Sequence, residues 1–255
     1  MTRIIAGPCQ HESFEQSMEI AAECESVCRS FGFDYIFKAS YDKANRSHES
    51  GVRGVGIDKT LKAFGEMRKE LPNLQILTDV HTIGEISRVN GSVDVLQIPA
   101  FLARQTDLIK AACTTDCIVN IKKSQFMAPW DISGVLSKTE GAKEVWITER
   151  GVCFGYNNLV VDFNGIQYML DNLGVPIVFD ATHSVQKPSA LGKSSGGNRD
   201  YVAGLTRSAS ALGVNNFFLE VHKDPPSAPS DGANMVYLKN FKDIVYDIYR
   251  YSYSR

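Results

Sequence analysis

The stretch Tyr35-Ile36-Phe37-Lys38-Ala39-Ser40-Tyr41-Asp42-Lys43-Ala44-Asn45-Arg46-Ser47 decides how the chain is read. It opens as an apolar run with the look of a buried strand. It then turns into a loop holding two lysines, an arginine, two serines and an asparagine. Lysine offers a compact point charge and arginine a planar fork for phosphate or carboxylate, so this strand end suits an anionic small substrate. A helical pattern follows, Ile57 to Leu71, stopped by Pro72. Strand, polar loop, helix is the unit to look for elsewhere.

Working outward, the unit recurs. Apolar runs occur at Arg3 to Cys9, Asp34 to Ser40, Gln75 to Val80, Val95 to Ala100, Ile118 to Lys123, Val145 to Arg150, Val175 to His183 and Asn216 to His222. Most lack a clean alternation of polar and apolar residues, as expected of strands covered on both faces in a parallel sheet. Helical spacing fills the gaps. Phe14 to Ser30 has Ser13 as its N-cap and Gly32 just past its end. Thr82 to Asn90, Gln105 to Thr114, Pro129 to Lys138, Gly165 to Leu173, Arg199 to Leu212 and Asn240 to Tyr251 are the others. Eight strand-then-helix units predict an α/β fold, a (β/α)8 TIM barrel forming a single domain over residues 1–255. An open doubly wound sheet is the alternative. It is disfavoured because no Gly-x-Gly-x-x-Gly follows the first run.

The 255-residue length fits one such barrel. With 27 basic against 29 acidic residues, the net charge of -2 gives no field for nucleic acid, so any positive potential must be local. No run is long enough for a membrane span and no secretory leader is evident, which points to the cytoplasm. The six cysteines then read as thiols. Cys24/Cys28 and Cys113/Cys117 imitate metal spacing, but they sit in or beside helical segments without nearby histidines.

A barrel places its chemistry at the C-terminal ends of its strands. Nearly every run ends in groups able to do chemistry. These include Gly7-Pro8-Cys9-Gln10-His11, the opening cluster, Asp79-Val80-His81, Gln97 through Gln105, Lys122-Lys123-Ser124-Gln125-Phe126, Glu149-Arg150-Gly151, Asp180-Ala181-Thr182-His183, and Glu220-Val221-His222 with Asp231-Gly232 beyond. On Lys38-Ala39-Ser40 through Ala44-Asn45-Arg46-Ser47, Gln97 through Gln105, and Arg150-Gly151 with Phe154 through Asp162, the chain resembles the 3-deoxy-D-manno-octulosonate 8-phosphate synthases. The resemblance runs from about Ile4 to Asp231.

It implies condensation of phosphoenolpyruvate with D-arabinose 5-phosphate, consuming water and releasing phosphate, in a cytoplasmic homotetramer of bacteria that make lipopolysaccharide. It also implies the metal-dependent class, whose members carry cysteine after Gly-Pro, as Cys9 does here, where the metal-independent class has asparagine. The implied partners of Cys9 are His183, Glu220 and Asp231. The first, seventh and eighth strands are neighbours where a barrel closes, so this set can converge. One thiolate, one imidazole and two carboxylates suit one divalent ion, Zn²⁺, Fe²⁺, Mn²⁺ or Co²⁺.

For phosphoenolpyruvate the expected phosphate ligands are Lys122 and Arg150, assisted by Gln97 and the Ala100 backbone, with Lys38, Ser40 and Lys43 at the carboxylate and the reacting end. Asn45, Arg46 and Ser47 are expected at the sugar phosphate, Asp79 at sugar hydroxyls and Phe101 as a wall. Lys43, His183 and Asp231 form the candidate catalytic set. Lys123 has the opposite strand parity to Lys122 and is left outside. Two stretches depart from the family pattern. Ser124 stands where proline is common, and the Gly/Ser/Lys-rich segment Gln186 to Asp200, with the look of the family's mobile lid, has an uncommon spelling at Lys187-Pro188-Ser189-Ala190. The nearest rival, 3-deoxy-D-arabino-heptulosonate 7-phosphate synthase, uses erythrose 4-phosphate and has a shorter spacing between the lysine and arginine of the second loop. A non-catalytic sugar-phosphate sensor on the same barrel is the reading from a different class.

Overall fold

The computed structural model describes residues 2–46, 48–190 and 195–252. Eight parallel strands form its centre: β1 (Arg3–Gly7), β2 (Asp34–Lys38), β3 (Gln75–Asp79), β4 (Val95–Ile98), β5 (Ile118–Lys122), β6 (Val145–Glu149), β7 (Ile177–Asp180) and β8 (Asn216–His222). Each pairs with the next, and β8 pairs back onto β1 from Arg3↔Asn216 to Gly7↔Glu220, so the sheet closes. Helices α1 (Phe14–Ser30), α2 (Ile57–Glu70), α3 (Ile83–Val89), α4 (Thr106–Cys113), α5 (Ile132–Leu136), α6 (Phe163–Asn172), α7 (Val202–Leu212) and α8 (Phe241–Ser252) alternate with the strands. This is the expected (β/α)8 barrel.

Local chemistry sets the element ends. The Ser13 side chain accepts from the Gln16 amide at 3.2 Å and so caps α1. Thr82 and Glu85 form a reciprocal capping box on the short α3. Most barrel strands stop one to three residues before the apolar runs do. Pairing ends where the chain must turn outward, and the residues beyond the ladder become the rim of the site.

The barrel interior is solid. Ile5, Ile36, Leu77, Val95, Trp146, Val178 and Phe218 form a buried cluster inside it, while the outward residues of the same strands join the larger core beneath the helices. Strand period two fixes this division. Two short antiparallel pairs decorate the C-terminal rim, Val152–Cys153 with Leu159–Val160 and Gln186–Lys187 with Gly196–Gly197. The second pair lies in the segment expected to be a lid, of which residues 191–194 are outside the described region.

Candidate active site

Period two also builds the site. Two residues beyond Ile36 on the same face is Lys38, beyond Leu77 is Asp79, and beyond Val95 is Gln97. Beyond Val178 is Asp180, and beyond Phe218 is Glu220. Lys122 and Arg150 follow the same parity from Asn120 and Thr148. The inward row thus changes from apolar to charged at one level, and Phe218 is its floor. The Lys122 ammonium sits 3.3 Å from the centre of that ring, and the Lys38 ammonium 5.5 Å. Above lies a cavity of about 440 Å³ lined by Lys38, Lys43, Asn45, Arg46, Asp79, Gln97, Ala100, Phe101, Lys122, Arg150, His183 and Asp231, among others. Lys123 has outward parity, and its ammonium reaches Glu149 at 3.2 Å and the Met127 carbonyl at 3.1 Å.

On the β1, β7 and β8 side, ligand atoms of Cys9, Glu220 and Asp231 lie within 4.8 Å of one another. The Cys9 thiol donates to Asp231 Oδ2 at 3.3 Å. His183 Nε2 stands 3.6 Å from Glu220 Oε1 and 3.9 Å from Asp231 Oδ2. Its other nitrogen, Nδ1, is held by Asp180 Oδ2 at 2.7 Å, which turns Nε2 toward the cluster. Glu220 is fully buried, yet its Oε2 has no hydrogen-bond partner. A buried carboxylate oxygen without a partner is costly, and a bound cation would satisfy it. Burial, followed by the charge of Glu220, pushes the Cys9 thiol up, a bias that a cation would reverse. The donor set therefore fits a divalent ion. Burial would raise the Asp231 carboxyl, but His183 and Lys43 outweigh it and hold the group at about 2. Asp231 takes a positive φ of 52°, uncommon for a residue with a side chain.

Opposite lie the cations. Lys122 pairs with Asp180 at 2.5 Å, and burial pushes its amine down to about 8 even so. Arg150 is 6% exposed, and its Nη1 has no partner. An unpaired guanidinium nitrogen beside a desolvated ammonium is a ready anion grip. The Lys38 ammonium donates to the Cys9 carbonyl at 2.9 Å and approaches Glu220 at 3.3 Å. The Lys43 ammonium donates to the same carbonyl at 2.8 Å and to Ser40 Oγ at 2.7 Å. Burial works against the Lys43 charge, but Asp79 and Glu220 outweigh it, so the group stays protonated. Ser40 donates to Asp79, which also faces His81 at 3.3 Å.

Arg46 spans the mouth, donating to Ser230 Oγ at 2.8 Å, to Gln10 Oε1 at 3.1 Å and to the Pro229 carbonyl at 3.2 Å. Asn45 lines the same opening, and Phe101, 59% exposed, stands at its rim. Ser47 lies outside the described residues. Gln97 Oε1 accepts from Asn120 at 3.0 Å, and Asn120 Oδ1 accepts from Thr148 at 2.6 Å, a polar chain across β4, β5 and β6. The Ala100 carbonyl is taken by Ser124, so the serine in the proline position ties the β5 loop to the β4 loop.

Two residues of the site were given no individual role by the reading of the sequence. Asp180 serves both Lys122 and His183, and it carried the signal that singled out Glu220, a carboxylate ending an apolar strand. Gln186 donates to Asp231 Oδ1 at 2.6 Å and accepts from Arg150 at 3.0 Å. Its segment was marked as lid-like, but nothing in the sequence singles out this residue within it.

Comparison with known proteins places the chain in a family. The DAHP synthetase I family model matches residues 1–249. A curated 2-dehydro-3-deoxyphosphooctonate aldolase of Rhodopseudomonas palustris (strain HaA2) is 49% identical over 244 residues, covering 95% of this chain and 85% of that protein. The protein of the same name from Rhizobium meliloti (strain 1021) is 51% identical over 239 residues, covering 93% and 85%. That of Rickettsia bellii (strain OSU 85-389) is 48% identical over 250 residues, covering 97% and 90%. With its closed barrel, its facing cation and acid clusters and these relatives, the chain belongs to the DAHP synthetase I family, alongside the members named 2-dehydro-3-deoxyphosphooctonate aldolase.

Proposed function

We propose that this chain condenses phosphoenolpyruvate with D-arabinose 5-phosphate and water to give 3-deoxy-D-manno-octulosonate 8-phosphate and phosphate, for lipopolysaccharide, and that it is a metal-dependent member of its family. The observation that carries the reading is the meeting of two unlike clusters in one cavity. Lys38, Lys122 and Arg150 suit an anion, while Cys9, His183, Glu220 and Asp231 suit a cation. The curated relatives carry the name of the aldolase, which favours the five-carbon sugar over erythrose 4-phosphate. We place the enzyme in the cytoplasm as a homotetramer. The exposed aromatics Phe126, Phe154 and Tyr156 support association, and light scattering of the purified protein tests it.

In the proposed mechanism Lys122 and the free Nη1 of Arg150 hold the phosphate of phosphoenolpyruvate, and Lys38 holds its carboxylate. Arg46 and Asn45 take the sugar phosphate at the mouth, with Ser47 as the third member of that loop. Held at both ends, the two substrates react as if intramolecular. The enol carbon of phosphoenolpyruvate forms a bond to the sugar aldehyde carbon. Water adds at the neighbouring carbon, one of its protons restoring Lys43, and the carbon–oxygen bond to phosphate breaks as phosphate takes the other and the ketone forms. Lys43, kept protonated among Asp79 and Glu220, delivers a proton to the aldehyde oxygen. A divalent ion held by Cys9, His183, Glu220 and Asp231 would orient and polarise that aldehyde. Asp79 offers its oxygens to the sugar hydroxyls, Ser40 stands with Lys43 at the reacting end, and Phe101 shields the cavity rim.

Phosphate release from phosphoenolpyruvate tests the reading. Chelator-treated protein should release little. Added Zn²⁺, Mn²⁺, Fe²⁺ or Co²⁺ should restore release with arabinose 5-phosphate and not with erythrose 4-phosphate. Release that survives thorough metal removal would end the metal-dependent reading. Release with erythrose 4-phosphate alone would transfer the assignment to the heptulosonate synthase. No release under any condition would favour the sensor.

A further inference from the structure

Arg150 and Asp231 belong to opposite sides of the cavity and do not touch, yet one side chain joins them. Gln186 uses both ends of its amide, its carbonyl accepting from Arg150 Nη2 at 3.0 Å and its NH2 donating to Asp231 Oδ1 at 2.6 Å. It sits where the Gln186–Lys187/Gly196–Gly197 pair leaves the barrel. That pair is pressed against the loop carrying Asp231. A Cβ on Gly197 would strike the Asn234 side chain, and Arg199 donates to the Gly232 carbonyl at 2.5 Å. Arg150 keeps Nη1 without a partner while Nη2 holds the amide. Arg150 lines the cavity, and of its two terminal nitrogens Nη1 is the one whose hydrogen bonds are not already given to Gln186.

We propose that Gln186 is a positioning residue that couples occupancy of the Arg150 anion grip to the placement of the Asp231 carboxylate. An anion on Nη1 fixes the guanidinium, the guanidinium fixes the amide carbonyl, and the amide then presents its NH2 to Oδ1 in one orientation. Oδ2 is left toward Cys9 and His183. The two halves of the site are then linked reciprocally, each strengthening the other by the same factor. This inference rests on the metal reading above, so the experiment has an arm that does not need metal.

In the first arm Co²⁺ is titrated into chelator-treated protein, read by its thiolate absorption, with and without phosphoenolpyruvate. The wild type should bind Co²⁺ about five-fold or more tightly when phosphoenolpyruvate is present. Gln186→Met, nearly the same size but without either hydrogen bond, and Gln186→Asn, too short to span both partners, should lose that factor while still binding Co²⁺ alone. Retention of the wild-type factor in both variants would overturn the proposal. In the second arm phosphoenolpyruvate affinity is measured without metal in the wild type, Gln186→Met, Asp231→Ala and the double variant. Effects that fail to add by about three-fold support the bridge, and additive effects overturn it. If the wild type takes up no Co²⁺, the metal reading fails by itself and the second arm decides the role of Gln186.

Discussion

Asp180 shows how much one carboxylate can organise. It holds His183 Nδ1, accepts from the His183 amide at 2.9 Å and pairs with Lys122. Asp180→Asn should lower divalent-metal affinity by about 10–100-fold, because the imidazole loses the partner that orients it. It should also cost on the order of 3 kcal/mol in denaturant unfolding, because Lys122 is left buried without its counter-charge. His81 supplies a pH signature. Burial lowers its imidazole, but the hydrogen bond and charge of Asp79 outweigh this and raise it above 6.5. A raised folded value means that the contact contributes fully below pH 6.5 and is lost as pH rises through the raised one. The gap in unfolding free energy between wild type and His81→Gln should therefore be widest below pH 6.5 and narrow as pH rises through the raised value. A gap independent of pH would remove His81 from the account. At this scale the sequence was legible at most polar residues that end an apolar run, as at Lys38, Asp79, Lys122 and Glu220, while Asp180 carried the same signal and was given no role. The sequence was silent at Gln186, whose role comes from distances between loops rather than from any local pattern.

Among the elements, the end of β1 leaves no room for a side chain beside β2. A Cβ on Gly7 would collide with the Lys38 carbonyl. Gly7→Ala should force the strands apart where Cys9 and Lys38 leave them, at about 1–3 kcal/mol of stability. Metal affinity and the phosphoenolpyruvate KM should worsen together. A stable variant with unchanged kinetics would mean that this strand spacing does not set the site. The element ends carried their own signals in the sequence, among them Ser13 before α1 and Pro72 after α2. The short pairs at Val152–Cys153 and Gln186–Lys187 did not, because two residues are too few for any periodicity to register.

The whole chain carries a net charge of -2, yet Lys38, Lys43, Arg46, Lys122 and Arg150 all face one cavity. The cations are gathered at one end of the barrel, where these five outnumber the lining carboxylates Asp79 and Asp231. The phosphoenolpyruvate kcat/KM should therefore fall with ionic strength, most steeply below about 0.15 M salt, where the screening length exceeds about 8 Å. A rate indifferent to salt would show that the buried pairs already neutralise the grip. At this scale the barrel itself was readable from eight repeats of one pattern, whereas the packing of its interior was not. Trp146 fills that interior with no exposure, and the Arg3 guanidinium lies 4.4 Å from its ring centre. The other tryptophan, Trp130, is 60% exposed. The chain thus carries two optical probes with opposite access to solvent. A dissolved quencher should extinguish Trp130 and spare Trp146, leaving an emission from beneath the floor of the cavity that reports, without any label, when the closed sheet opens.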